Sequence, residues 1–122
     1  MVQRPRSITI ISWLFIVLGA IALVGGLLPI GEVTLVQRAG ELKSHWYVHL
    51  SRLLEIVAGV FMLYGMNWAR WLLVVWMVFH VVVGAMHSVV QLFTHLAIFT
   101  VLGYFLFRPQ ATGYFLQKGN NN

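Results

Sequence analysis

Seven polar residues stand in or beside segments otherwise built of aliphatic and aromatic side chains: His45, His49, Arg52, Glu55, His80, His87 and His95. An α-helix turns about 100° per residue, so positions three, four and seven apart share a face. On that rule His45, His49, Arg52 and Glu55 share one face with Gly59. His80, Gly84 and His87 share another, which Gln91 joins if the helix continues. His95 stands alone among apolar neighbours. Arg52 and Glu55, three apart, are placed to form an ion pair along one helix. His45 and His49 have the i, i+4 spacing that lets two imidazoles reach one metal ion, and His87 is counted with them as a candidate ligand. Zinc-protease helices carry a Glu between such histidines; here the intervening residues are Trp46, Tyr47 and Val48.

The elements that must position these groups are greasy. Apolar runs cover residues 8–30, 46–65, 68–86 and 90–107, each close to the ~20 residues a helix needs to cross the hydrocarbon core. Only short turns separate the last three, so neighbouring helices form antiparallel hairpins. The expected fold is an all-α transmembrane four-helix bundle in a single domain of 122 residues. Residues 31–45 form the one sizeable loop, with a weakly alternating stretch from Glu32 to Gln37. Pro109 ends the fourth helix, Tyr114, Phe115 and Leu116 suit the inner interface, and residues 117–122 read as a flexible tail.

Composition agrees. The chain is 60% hydrophobic and only 9% charged, whereas a soluble domain carries about a quarter charged residues. Too few charges remain to cover a watery surface, so the expected partner is the lipid bilayer. The absence of Cys excludes disulfides and thiolate chemistry. The net charge of +5 follows from basic residues that flank apolar runs, and nothing else points to nucleic acid. Arg4, Arg6, Arg70, Arg108 and Lys118 fall on one side, and Arg38 and Lys43 on the other beside Glu32 and Glu41. By the positive-inside rule both termini are cytoplasmic, in a bacterial inner membrane. Arg4, Arg6 and Ala20-Ile21-Ala22 resemble a cleavable signal peptide, but the apolar run extends to Ile30, too long for one. No phosphate-binding glycine loop, nucleophile elbow or paired catalytic carboxylates occur.

At a rise of ~1.5 Å per residue, Arg52, Glu55, His80 and His95 come to one level near the bilayer centre. His45, His49 and His87 form a second layer at the outer mouth. Charge at the bilayer centre costs roughly 2.5–3.5 kcal/mol on insertion scales, so Arg52 and Glu55 should face the bundle interior. This predicts a polar pocket between the second, third and fourth spans, open to the outer face.

The stretch LEIVAGVFMLYGMNWARWLLVVWMVFHVVVGAMH, residues 54–87, resembles the second-to-third helix hairpin of DoxX-like small four-helix membrane proteins. Glu55, Gly59, Gly65 and Arg70 match that outline, and FRPQATGYF near the C-terminus resembles endings of uncharacterised bacterial four-helix proteins. The first span departs from the pattern. The resemblance implies an all-helical bundle with an accessory role, in some relatives beside membrane oxidoreductases or quinone-linked systems. Only Glu55 and Arg70 carry over as positions.

Three functions fit these residues. The leading one is a non-enzymatic accessory or binding subunit with its ligand at Arg52, Glu55, His80 and His95, working alone, as a homo-oligomer or with other membrane subunits. The second is a redox component in which histidines hold a metal or haem, or in which the site serves a quinone. The third is a proton or ion relay. Set against all three is a structural reading, with an ion pair that fixes helix register and histidines that only pack.

Overall fold

The computed structural model describes residues 3–28 and 46–119. Within them the chain forms five helices and no strand: α1 Arg6–Leu27, α2 Trp46–Leu63, α3 Asn67–His87, α4 Val89–Phe107 and α5 Pro109–Gly119. The first four are long and apolar enough to cross a membrane, and the protein is a multi-pass membrane protein. The expected loop of residues 31–45, with its Glu32–Gln37 stretch and His45, lies outside the described residues, as do residues 120–122.

Prolines set two boundaries. The residue before a proline is pushed out of the α region. Leu28 precedes Pro29 and is extended, with φ −75° and ψ 138°, so α1 stops at Leu27 instead of running to Ile30. Arg108 precedes Pro109 and is extended likewise, so α4 stops at Phe107. Pro109 then opens α5, because a proline suits the first turn of a helix, where its missing N–H has no partner to lose. The sequence reading missed this helix: it runs through Gln117 to Gly119, across the start of the expected tail.

The other turns are equally local. Gly65 has φ 77°, and the N–H groups of Gly65 and Met66 donate to the carbonyls of Met62 and Phe61. This is a Schellman ending, in which glycine takes the left-handed position without a Cβ penalty, so α2 closes at Leu63 rather than at residue 65. Between α3 and α4 only Ser88 leaves the helical conformation, and its hydroxyl accepts from the Gln91 N–H at 3.2 Å.

Neighbouring helices pack as antiparallel hairpins, and α1 lies closely along α2. Glycine makes that approach possible: a Cβ at Gly59 would stand 2.8 Å from the Ser12 carbonyl oxygen and 2.8 Å from Ile16 Cγ1. The packed core lies at the Arg70 end. Ile8, Phe15, Met62, Leu73, Leu106 and Phe115 all belong to it. Here α5 lies beneath the bundle with Ala111, Tyr114 and Phe115 buried, while Leu116 is exposed. The Leu63 carbonyl, left over at the end of α2, accepts from Arg4 Nη1 and from the Tyr114 hydroxyl, each at 3.1 Å. Arg108 Nη2 donates to Ser7 Oγ at 2.9 Å, so the starts of α1 and α5 share this end. The other flanks carry exposed apolar side chains such as Ile21, Val75, Val82, Phe93 and Val101, faces of the kind a bilayer covers.

Candidate functional site

Above the packed end the helices part. A cavity of about 580 Å³ opens at mid-span, with Phe15 and Met77 among its walls. All four spanning helices contribute: α1 through Leu14, Phe15 and Leu18, α2 through Glu55, α3 through Trp76, Met77 and His80, and α4 through His95, Ala97, Ile98, Phe99, Val101 and Leu102. The gap lies between α1 and α4, where Leu14, Leu18, Ile98 and Val101 are exposed. The pocket is therefore walled by the first span as well as by the three expected, and its exposed lining side chains lie on the flanks of α1 and α4.

The polar groups on this apolar wall are few. Glu55 is only 8% exposed. Among the described residues its carboxylate closes no hydrogen bond and no ion pair, though Arg52, one turn earlier, lies near enough to act on it electrostatically. The His80 and His95 rings lie 6.2 Å apart, centre to centre. His80 Nδ1 donates to the Trp76 carbonyl at 3.0 Å, and His95 Nδ1 donates to the Gln91 carbonyl at 2.7 Å. A carbonyl only accepts, so each Nδ1 carries hydrogen and the neutral imidazole keeps its lone pair on Nε2.

Trp76 organises the site. Its ring stacks on His80 at 3.9 Å between centroids with a 31° tilt, and meets Phe15 edge-on at 5.4 Å. Its indole N–H donates to the Ser51 carbonyl at 2.9 Å, tying α3 to α2. The sequence reading passed over Trp76 and Phe15. A signal was present for the former: Trp76 sits four residues before His80, on the same helical face, and lies far from the span ends where interfacial tryptophans gather. Gly84 makes room for His95, since a Cβ there would stand 2.7 Å from His95 Nδ1.

Arg52 behaves differently from expectation. Its Nη1 donates to the Ala22 carbonyl of α1 at 2.6 Å, and it closes no ion pair with Glu55. The guanidinium, with several donors on a long stem, reaches a backbone acceptor on the neighbouring helix instead. His49 turns the same way: a Cβ at Gly26 would stand 3.0 Å from its ring and 2.5 Å from Arg52 Nη1. His87 is exposed, its Nδ1 donating to the Val83 carbonyl at 2.8 Å. His49 and His87 thus occupy separate surroundings, His45 lies outside the described residues, and no three potential metal ligands cluster among the described residues.

Comparison with protein-family models, characterised proteins and solved structures yields no match. The site is left to speak through its own chemistry. Glu55, His80 and His95 come together from three helices around an apolar chamber; Arg52 braces α1 against α2 beside it.

Arg70 is the other buried charge among the described residues, 5% exposed at the packed end. Its guanidinium lies 4.9 Å from the Phe107 ring centre and 5.4 Å from that of Phe115, with a long 3.4 Å bond to Thr112 Oγ1. Aromatic faces stabilise such a cation, so Arg70 holds α5 to the bundle.

Proposed function

We propose that the protein is a non-enzymatic binding or accessory subunit of the bacterial inner membrane, with both termini in the cytoplasm. Its mid-span cavity takes a lipophilic molecule with a polar head, which enters from the bilayer between α1 and α4. One observation carries this reading: the Glu55 carboxylate is buried, closes no hydrogen bond or ion pair among the described residues, and faces an apolar cavity shared with His80 and His95. A lone buried carboxylate is costly unless something pairs with it, and intramembrane ionisable groups of this kind mark ligand sites. Sequence resemblance to the DoxX-like hairpin supports the accessory role. Orientation rests on the excess of Lys and Arg at the end that carries both termini.

The test is native mass spectrometry of protein purified in mild detergent. The expected result is a retained small molecule, expelled when Ala97→Trp fills the cavity. A preparation with an empty chamber in both forms would sink the reading.

A second reading, a quinone-linked or His-ligated redox component, draws on the Nε2 lone pairs of His80 and His95, which suit a hydroxylated headgroup or a metal. A visible spectrum, metal analysis and organic extraction separate the two. Stoichiometric metal, haem or quinone would favour the redox reading.

A further inference from the structure

The polar inventory of the cavity points to the charge of its occupant. Its lining includes four side chains with polar atoms: Glu55, Trp76, His80 and His95. The N–H donor of Trp76 is committed to the Ser51 carbonyl, and the Nδ1–H donors of His80 and His95 are committed to the carbonyls of Trp76 and Gln91. With Glu55 ionised, what is left is acceptor: its carboxylate and two imidazole Nε2 lone pairs. Arg52, the nearest cation, does not line the cavity, because it is drawn to the Ala22 carbonyl on α1. The aromatic faces of Phe15, Trp76 and Phe99 complete the wall.

We infer that the occupant is a lipophilic cation: an amine or ammonium, or an equivalent onium ion, on an apolar body. This rests on the binding reading above and names its ligand class. An ammonium supplies the close positive charge that a buried carboxylate without a closed ion pair demands, donates to the free Nε2 atoms, and gains from the aromatic faces. An anionic head, such as a fatty carboxylate, meets a carboxylate of its own sign and no uncommitted donor from Trp76, His80 or His95. The apolar body suits the aliphatic remainder of the wall and the exposed apolar side chains of α1 and α4 beside it.

The test uses two ions of matched shape and opposite charge, tetraphenylphosphonium and tetraphenylborate. Equilibrium dialysis is run against the full chain in phosphatidylcholine nanodiscs, with empty nanodiscs subtracted. The expected outcome is saturable binding of the phosphonium only. Glu55→Gln weakens it at least tenfold without moving the unfolding temperature, Glu55→Asp keeps the preference for the cation, and His87→Ala, outside the cavity, changes nothing. Equal binding of both ions, preference for the borate, or indifference to Glu55→Gln overturns the inference. The two proposals fail separately. If native mass spectrometry finds a neutral or anionic molecule that Ala97→Trp expels, while the phosphonium does not bind, the cation assignment falls and the binding reading stands. If no molecule is retained and neither ion binds, both fall.

Discussion

His80 and His95 sit on adjacent antiparallel helices, their rings 6.2 Å apart and tilted by 39°, each held by its Nδ1–H to the carbonyl four residues earlier. The backbone therefore sets the tautomer and aim of both imidazoles before any ligand arrives. Trp76, stacked on His80, keeps the first ring in place. Trp76→Phe keeps an aromatic face but deletes the N–H that holds the Ser51 carbonyl. One neutral hydrogen bond contributes about 0.5–1.5 kcal/mol, so thermal unfolding in detergent should fall by a few degrees. Retention of the cavity ligand should weaken with it, since the stack on His80 is loosened. An unchanged protein would remove Trp76 from the organising role.

The bond of Arg52 to Ala22 alters what mutation should do. Were they a closed ion pair, removing both would hurt less than removing Glu55 alone. Arg52 instead bonds to Ala22 on α1, an interaction of the charged type that contributes about 1.5–3 kcal/mol. Arg52→Leu is expected to remain costly when Glu55 is absent, because the Ala22 bond is lost in either background, as a double-mutant cycle read by denaturant titration would show. Disappearance of the whole Arg52→Leu effect in the Glu55→Leu background would restore the ion pair.

Two glycines carry unequal loads. A Cβ at Gly59 meets the Ser12 backbone carbonyl, which cannot move without shifting α1; at Gly84 it first meets the His95 ring. Gly59→Ala should destabilise the fold by about 1–3 kcal/mol, the range for overpacking. Gly84→Ala should turn the His95 ring, changing ligand retention more than unfolding temperature. Equal loss of stability in the two variants would count against this assignment.

Tyr114 offers a pH test at the packed end. Burial raises its phenol above the ordinary value of 10.0, against a smaller opposing effect of Arg4. The folded state therefore holds this proton more tightly than the unfolded chain. Stability from this group is fully present below the unfolded value and is lost as pH rises through the folded one. Docking of α5 should loosen in that alkaline range, seen as faster proteolysis of the segment from Pro109 together with phenolate absorbance. Tyr114→Phe should remove this alkaline step while weakening docking at neutral pH, since the bond to the Leu63 carbonyl is gone.

Much of the bundle was legible because lipid imposes one rule, that a spanning backbone must satisfy its own hydrogen bonds. Long apolar runs therefore declared four helices, and short turns declared hairpins. The ends of α1 and α2 were missed where local rules outweighed hydrophobicity: the residue before Pro29 leaves the helical region, and Gly65 closes α2 early, whereas α4 ends before Pro109 as expected. Helix α5 escaped notice because its apolar side, Ala111, Tyr114 and Phe115, is short and has meaning only beneath a bundle with Arg70 to cover.

The site divides along the same line. By itself the sequence determined which polar residues lie at mid-span, because helical rise and periodicity are fixed properties of the backbone; Glu55, His80 and His95 follow from that count. Which of them meet depends on side-chain reach across helices, and that was decided only in three dimensions. Tertiary packing drew Arg52 away to an α1 carbonyl, brought the isolated His95 beside His80, and made the seemingly featureless first span a wall of the cavity. The physical reason is that hydrogen bonds and packing act over a few ångströms between elements, whereas the pattern along one helix records only which face each residue occupies.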